Sequence, residues 1–318
     1  MKKIVTLTLN PAIDKSTSVK SIVPDKKLRC KPPRFEPGGG GVNVSRALKK
    51  LGEDSTAIYL AGGYSGKFYH ELLDGEGIES CVIEISGHTR ENLIVVDESA
   101  NLQYRFGMPG PIIKEEEWQK CIDVLSKANE VDYIVVSGSL PEGVPTDFIG
   151  RVAAVARKVD ARVIIDTSGE PLKHAIDEGV FMMKPNLGEL SSLHGVEELN
   201  EDDVVSAARE IISNGGCEVM AVSMGPSGAM LVTKNDVFDS PSPAIRKRST
   251  VGAGDSMVAG MVLALSKGLG WMDVLHYGIA TGTATTMNPG TELCKKEDVE
   301  KLYAWLKGRR GLAVPPNI

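Results

Sequence analysis

No Cys-x-x-Cys pair and no histidines at zinc-ligand spacing occur in this chain of 318 residues. Its five cysteines, Cys30, Cys81, Cys121, Cys217 and Cys294, are scattered and odd in number. That pattern excludes a complete disulfide framework and points to reduced thiols in a cytoplasmic protein. No Lys/Arg-dense block is present; Arg246–Arg248 comes nearest, and the formal net charge is -6. Nucleic acid is therefore not an expected partner, although a few convergent cations still make a local anion site on an acidic protein. No apolar run is long enough to cross a bilayer, Met257–Leu265 being far too short. Thr6, Thr8, Asn10 and Pro11 break the amino-terminal Ile4-Val5 run before it can form a signal peptide. A soluble, untargeted chain without a membrane partner is expected. Internal repeats are absent, and so is a Gly-x-Gly-x-x-Gly after the first apolar run, which argues against a dinucleotide-dependent dehydrogenase.

What is present alternates strand and helix. Lys3–Leu9 reads as a buried strand closed by Asn10-Pro11. Val131–Val136, Arg162–Ile165, Val219–Ser223 and Ala229–Val232 are short, β-branched and bounded by turn residues. Helical periodicity runs through Lys114–Lys127, Pro145–Lys158 and Glu201–Ser213, then through Ala253–Lys267, Trp271–Thr286 and Glu297–Leu306. Such alternation predicts an α/β fold with a mostly parallel central sheet and helices on both faces. Two segments differ: about 14–36 is polar and proline-bearing, and about 88–107 holds two strand-like runs, Asn92–Val96 and Gln103–Phe106. They are expected to form a small β-sheet lid inserted into one domain spanning 1–318, with 308–318 as a tail lacking a core signal.

Two glycine clusters carry the chemistry. In Thr250-Val251-Gly252-Ala253-Gly254-Asp255-Ser256-Met257, two glycines alternate with small residues directly before a helical run. Glycines there let backbone N–H groups converge, and the helix start supplies unpaired donors and a favourable dipole. An N-terminal cap would account for Asp255 but not for both Gly252 and Gly254. An anion hole for a moving phosphoryl group, with Asp255 as general base, accounts for all three. In Pro37-Gly38-Gly39-Gly40-Gly41-Val42-Asn43, four glycines precede an amphipathic helix. A hinge would need the glycines but not Asn43, whose amide suits sugar hydroxyls.

These two clusters together resemble the two signatures of the ribokinase family, in its PfkB branch. Thr8-Leu9-Asn10-Pro11-Ala12-Ile13-Asp14, Ser137-Gly138-Ser139-Leu140-Pro141 and Lys184-Pro185-Asn186-Leu187-Gly188-Glu189 fall in the same order, and the resemblance covers about residues 3 to 307. It implies a Rossmann-like core with a β-sheet lid, ATP with Mg²⁺, and a phosphosugar acceptor. Within the branch, Lys26–Cys30, Phe35–Gly41 and Tyr104–Gly110 are similar to the 6-phosphofructokinases, which implies transfer to C1 of fructose 6-phosphate. Tagatose 6-phosphate and fructose 1-phosphate stay open as acceptors, and so does a non-catalytic nucleotide- or sugar-binding protein on the same scaffold.

The resemblance also implies residue roles. Ala253, Gly254 and Asp255 would line the anion hole after Gly252. Asp14, Asn43, Gly38 and Gly39 would hold the sugar, and Lys27, Arg29, Arg90, Arg105 and Ser139 would surround its phosphate. Lys184, Asn186, Glu189, Ser223, Gly225 and Gly228 would face the nucleotide, with Glu189 reaching Mg²⁺ through water. Ser249, Val251, Thr285, Asn288 and Gly290 correspond to a potassium site, while Pro289 and Glu292 depart from the family pattern. A homodimer through the lid is implied as well.

Overall fold

The computed structural model describes residues 3–308. In chain order its strands are β1 (Ile4–Thr8), β2 (Ala12–Val19), β3 (Arg34–Gly38), β4 (Thr56–Ala61), β5 (Glu79–Glu84), β6 (Arg90–Asp97), β7 (Leu102–Phe106), β8 (Tyr133–Ser137), β9 (Arg162–Asp166), β10 (Val180–Met183), β11 (Cys217–Ser223), β12 (Ala229–Thr233) and β13 (Val237–Ser240). Its helices are α1 (Gly40–Leu51), α2 (Gly63–Gly75), α3 (Glu115–Ser126), α4 (Phe148–Lys158), α5 (Glu170–Glu178), α6 (Leu187–Leu193), α7 (Val204–Ser213), α8 (Ala253–Ser266), α9 (Trp271–Thr286) and α10 (Lys296–Gly308).

Nine strands form the main sheet in the order β13-β12-β11-β10-β9-β8-β1-β4-β5. From β11 to β5 every neighbour runs parallel, while β12 and β13 extend one edge antiparallel. The expected mostly parallel α/β core is thus found. Its strands are apolar on both faces because helices cover both. Side chains alternate. Val5, Leu7, Ile134, Val136, Val163 and Ile165 pack into the core that holds α3 and α4. Ile4, Tyr133, Val135 and Ile164 pack instead against α1, α8 and α9.

Helices α8 and α9 lie close together because glycine replaces bulk at their contact. A Cβ on Gly260 would strike the Tyr277 carbonyl, and one on Gly278 would press on Met261. Helix α8 is accordingly buried from Ser256 to Ala264, and its amino end is fixed rather than free to wander.

The second sheet has four strands in the order β3-β2-β6-β7, with β2 and β6 parallel and the outer pairs antiparallel. It is built from the two segments expected to make the lid, though the first strand begins at Ala12 and residues 20–33 form no strand. Several helix limits agree with the periodicity, that of Trp271–Thr286 without change. Pro145–Asp147 precede α4 as a turn, and Glu201–Asp203 form a 3₁₀ turn before α7. The strands β4, β5, β10 and β13 and the helices α2, α5 and α6 lie outside the segments read as strand or helix from the sequence; four apolar residues such as Val180–Met183 give no period to read. Of the 308–318 tail, Gly308 closes α10 and the rest lies outside the described residues.

Candidate active site

The carboxyl ends of the parallel strands carry the buried polar residues Thr8, Ser137 and Lys184, where ligands bind in open α/β sheets. Ser137 ends β8 and Asp166 ends β9, directly opposite each other in the parallel register. Lys184 follows β10, its N–H bonded to the Ile165 carbonyl at 2.9 Å. Lys184 is 5% exposed and its Nζ lies 3.0 Å from Asp166 Oδ1. Burial works against the ammonium, but Asp166 outweighs it and the Lys184 pKa is raised.

The two glycine clusters meet here, 212 residues apart in sequence, where Asn43 Nδ2 donates to Asp255 Oδ2 at 2.9 Å. The other carboxylate oxygen accepts from Ser137 Oγ at 3.2 Å. Gly252 caps α8 with φ 70°, a left-handed conformation that glycine adopts without strain. The N–H groups of Gly254 and Asp255 find no backbone acceptor among the described residues, as befits the first turn of a helix. A side chain at Gly254 would project toward Lys184 Nζ, 3.7 Å from its Cβ. Burial pushes the Asp255 carboxyl up to about 6, helped by the negative charge of Asp166 and opposed by Asn43, Ser137 and Lys184. A carboxylate so tuned is matched to taking a proton near neutral pH.

On the lid side, Asp14 Oδ1 accepts from Asn92 Nδ2 at 2.9 Å. Burial raises the Asp14 pKa, against the pull of Asn92, Arg46 and Arg90. Gly38 backs directly onto the Asp14 carboxyl, where no Cβ fits. Gly39, at φ 121°, turns the chain against Thr8 and Pro11. Arg90 reaches the carbonyls of Asn10 at 2.9 Å and Met108 at 3.1 Å. Asn10 Nδ2 in turn donates to Ser139 Oγ at 3.1 Å. Two atoms of this cluster, Arg90 Nε and Asn10 Oδ1, are buried without a hydrogen-bond partner. Arg105 crosses from β7 to Thr250 Oγ1 at 3.2 Å, joining the lid to the segment before Gly252. Lys27 and Arg29 are different: both lie on the exposed stretch between β2 and β3, and no polar contact among the described residues ties them to this cluster.

On the opposite side of α8's amino end is a cavity of about 460 Å³, lined by Ser223, Gly225, Gly228, Ala253, Gly254 and Met257 among others. Its volume lies within the range of small-molecule and cofactor sites. Asn186 and Glu189 form a reciprocal cap at the start of α6: Asn186 Oδ1 accepts from Glu189 N, and Glu189 Oε2 accepts from Asn186 N, both at 2.8 Å. Burial raises the Glu189 pKa, partly offset by that bond and by Lys184. The pair is thus a capping box, and one Glu189 oxygen remains beyond it.

Just before α8, Ser249 Oγ donates to the Gly290 carbonyl at 2.6 Å. The side chains of Thr285 and Asn288 are committed to helix contacts, Thr285 to Ser256 Oγ and Asn288 to the carbonyls of Ala284 and Leu293. The backbone carbonyls of Ser249, Val251 and Asn288 accept no hydrogen bond among the described residues. Sequence reasoning gave no role to Asp166, Asn92 and Arg46, nor to Ser137 and Asn10 within the motifs quoted; each takes a polar partner from a different segment.

The sequence profile of the pfkB family carbohydrate kinases matches residues 4–298. The chain is 41% identical over 307 residues to the ATP-dependent 6-phosphofructokinase isozyme 2 of Escherichia coli strain K12, covering 96% of this chain and 99% of that one. It is 32% identical over 307 residues to the 1-phosphofructokinase of Bacillus subtilis strain 168, covering 96% and 99%. Two crystal structures of phosphofructokinase-2 from Escherichia coli superpose closely. The complex with potassium gives a TM-score of 0.93 at 41% identity, and that with fructose-6-phosphate gives 0.91 at 39%, each covering 96% of this chain and 100% of the other.

Proposed function

The chain belongs to the pfkB family of carbohydrate kinases, and on that premise we propose that it transfers the γ-phosphoryl group of ATP, in line, to the C1 hydroxyl of fructose 6-phosphate, giving fructose 1,6-bisphosphate. The observation that carries this reading is the seat of Asp255, a half-buried carboxyl pushed up to about 6 beside the unpartnered amides of Gly254 and Asp255 at the start of α8. Asp255 takes the proton of the attacking hydroxyl. The amides of Ala253, Gly254 and Asp255 stabilise the charge that develops on the moving phosphoryl oxygens. Asp14, Asn43 and the backbone of Gly38 and Gly39 orient the sugar, so positioning supplies much of the rate.

The phosphate already on the sugar carries close to two negative charges. Arg90, Arg105 and Ser139 receive it through charge-assisted hydrogen bonds, with the orphaned Arg90 Nε and its partner Asn10 at the base of that subsite. Lys27 and Arg29 complete the clamp as the flap folds over. The small sheet acts as the lid of one kinase domain and keeps water from the nucleotide.

ATP occupies the cavity beside Ser223, Gly225 and Gly228, its phosphates running toward Lys184. A divalent cation accompanies it. The donors fit one: Glu189 keeps an oxygen beyond its cap, and Asp166 lies beside it, a hard carboxylate set suited to Mg²⁺ that retains much of its water. Such a cation supplies neutralisation of the nucleotide's phosphate charge. The orphaned carbonyls of Ser249, Val251 and Asn288, with that of Gly290, suit potassium as a further cation. The outer lid exposes Val23, Leu28, Leu102, Tyr104, Phe106 and Met108, an apolar face that pairs with a second copy. All five cysteines are free, and no helix among the described residues is long and apolar enough to cross a membrane, consistent with work in the cytoplasm.

The test is kinetic. ADP release is measured with fructose 6-phosphate, tagatose 6-phosphate and fructose 1-phosphate. Fructose 6-phosphate is expected to give the highest kcat/KM, and Asp255→Asn to lower kcat by ~100-fold or more with ATP binding retained. Preference for another sugar would reassign the substrate, and near-normal turnover of the variant would remove Asp255 as base.

A further inference from the structure

The guanidinium of Arg46 is 3% exposed and touches neither cavity nor base, yet it contacts the residue that does. Asn43 and Arg46 lie three residues apart on α1 and so share a helix face. Arg46 Nη1 donates to Asn43 Oδ1 at 3.3 Å and to the Pro37 carbonyl at 2.8 Å. The other edge of the guanidinium is held by Glu76, with Nε 2.9 Å from Oε2 and Nη2 2.6 Å from Oε1, and Glu36 Oε1 lies 3.5 Å from Nη2. Glu36 also accepts from Thr291 Oγ1. One cation therefore ties α1 to the residue after α2 and to β3, and Glu36 of β3 carries the connection on to the loop after α9.

We propose that Arg46 is a positioning residue for the phosphoryl-transfer site, fixing the amide of Asn43 so that its NH₂ group, and not its oxygen, faces Asp255. The inference rests on the reading of Asp255 as the base. An asparagine amide presents an acceptor at one end and donors at the other. With Arg46, which carries donors only, at the Oδ1 end, the opposite rotamer would set NH₂ against guanidinium and carbonyl oxygen against carboxylate. Both contacts would be repulsive. The orientation observed makes both attractive, so a permanently charged arginine dictates which atom meets the base.

The groups around each end are few. Facing Asp255 are Asp166 from β9, Lys184 beyond β10, and the neutral Ser137 and Asn43. Facing Arg46 are Glu76, Glu36 and the neutral Tyr69, with Asp14 within electrostatic reach. The bond from Asn43 holds the Asp255 carboxyl lower than burial alone would set it. Releasing Asn43 therefore moves the ionisation of Asp255 upward.

The experiment uses the full-length kinase and records kcat against pH for Glu76→Gln, for Arg46→Met combined with Glu76→Gln, and for Asp255→Asn. Pairing the two changes avoids leaving Glu76 buried beside a missing cation. Relative to Glu76→Gln, the double variant is expected to shift the acid limb of kcat upward by about one pH unit, which by itself lowers turnover near pH 6 about fivefold. Its ATP affinity is expected to stay unchanged. An unmoved limb with kcat within about twofold of Glu76→Gln, while Asp255→Asn is inactive, would overturn the role of Arg46 alone; this holds even if the urea midpoint falls, because the contact would then be structural only. Near-normal turnover of Asp255→Asn would instead sink the base assignment and this proposal with it.

Discussion

Asp255→Asn is expected to stabilise the empty protein at neutral pH while lowering its kcat by ~100-fold or more. In the fold the carboxyl keeps its proton up to about pH 6, whereas the unfolded chain releases it near 3.8. Between those values the folded state binds more protons, so rising pH favours the unfolded state. Below about pH 3 both states are protonated and the penalty vanishes. Above about pH 6.5 it is complete. The gap between 3.8 and about 6 corresponds to about 3 kcal/mol at 1.36 kcal/mol per unit. Asp255 is only half-buried as a residue, so solvent screening lowers the working figure to about 1–3 kcal/mol. Asparagine does not titrate, and the variant escapes the penalty. The assay is urea unfolding of both proteins at intervals from pH 4 to 7.5 without nucleotide or sugar. The stability of the variant relative to the parent should climb by about 1–3 kcal/mol across that interval, mostly between pH 4.5 and 6.5. A flat difference would mean that the folded carboxyl titrates near its ordinary value, and the argument from burial and Asp166 would fail.

Two further outcomes follow from contacts already described. Lys184→Met removes the cation beside Asp166 at a site where both side chains are nearly enclosed, and should cost about 3–5 kcal/mol in urea unfolding because it strands a buried charge; a loss under 1 kcal/mol would show that Asp166 is solvated. Tyr104→Glu places charge on the exposed apolar face of the lid and should shift sedimentation from dimer to monomer, whereas a parent that is already monomeric would remove the lid contact as an interface.

The parts of the site that were legible in the sequence are those whose chemistry leaves a local trace. Gly252, Gly254 and Asp255 stand together, and so do the four glycines before Asn43, because a helix start that must hold an anion can be written in consecutive residues. Their meeting, through the bond from Asn43 to Asp255, was beyond local reading. Asp166 and Ser137 acquire meaning only when β8 and β9 align them across 29 residues. Arg46 looks like any charged residue on an amphipathic helix until Glu76 and Pro37 close around it. The core was readable where strands are β-branched, as at Val131–Val136, and lost at Val180–Met183, where four residues, two of them methionine, are too few to show a period. Lys27 and Arg29, assigned through resemblance, stand in solvent, since an exposed flap records its function only with its ligand in place.

The pairing of Asn43 with Asp255 has a consequence for the protein during its synthesis. A nascent chain that stops before residue 250 already holds the glycine run, the small-sheet strands and the lysine after β10, but it lacks Asp255 and the start of α8. Contacts so distant in sequence form late in folding. On the proposed assignment, molecules that end before Gly252 lack that carboxylate and those amides and do not transfer phosphate.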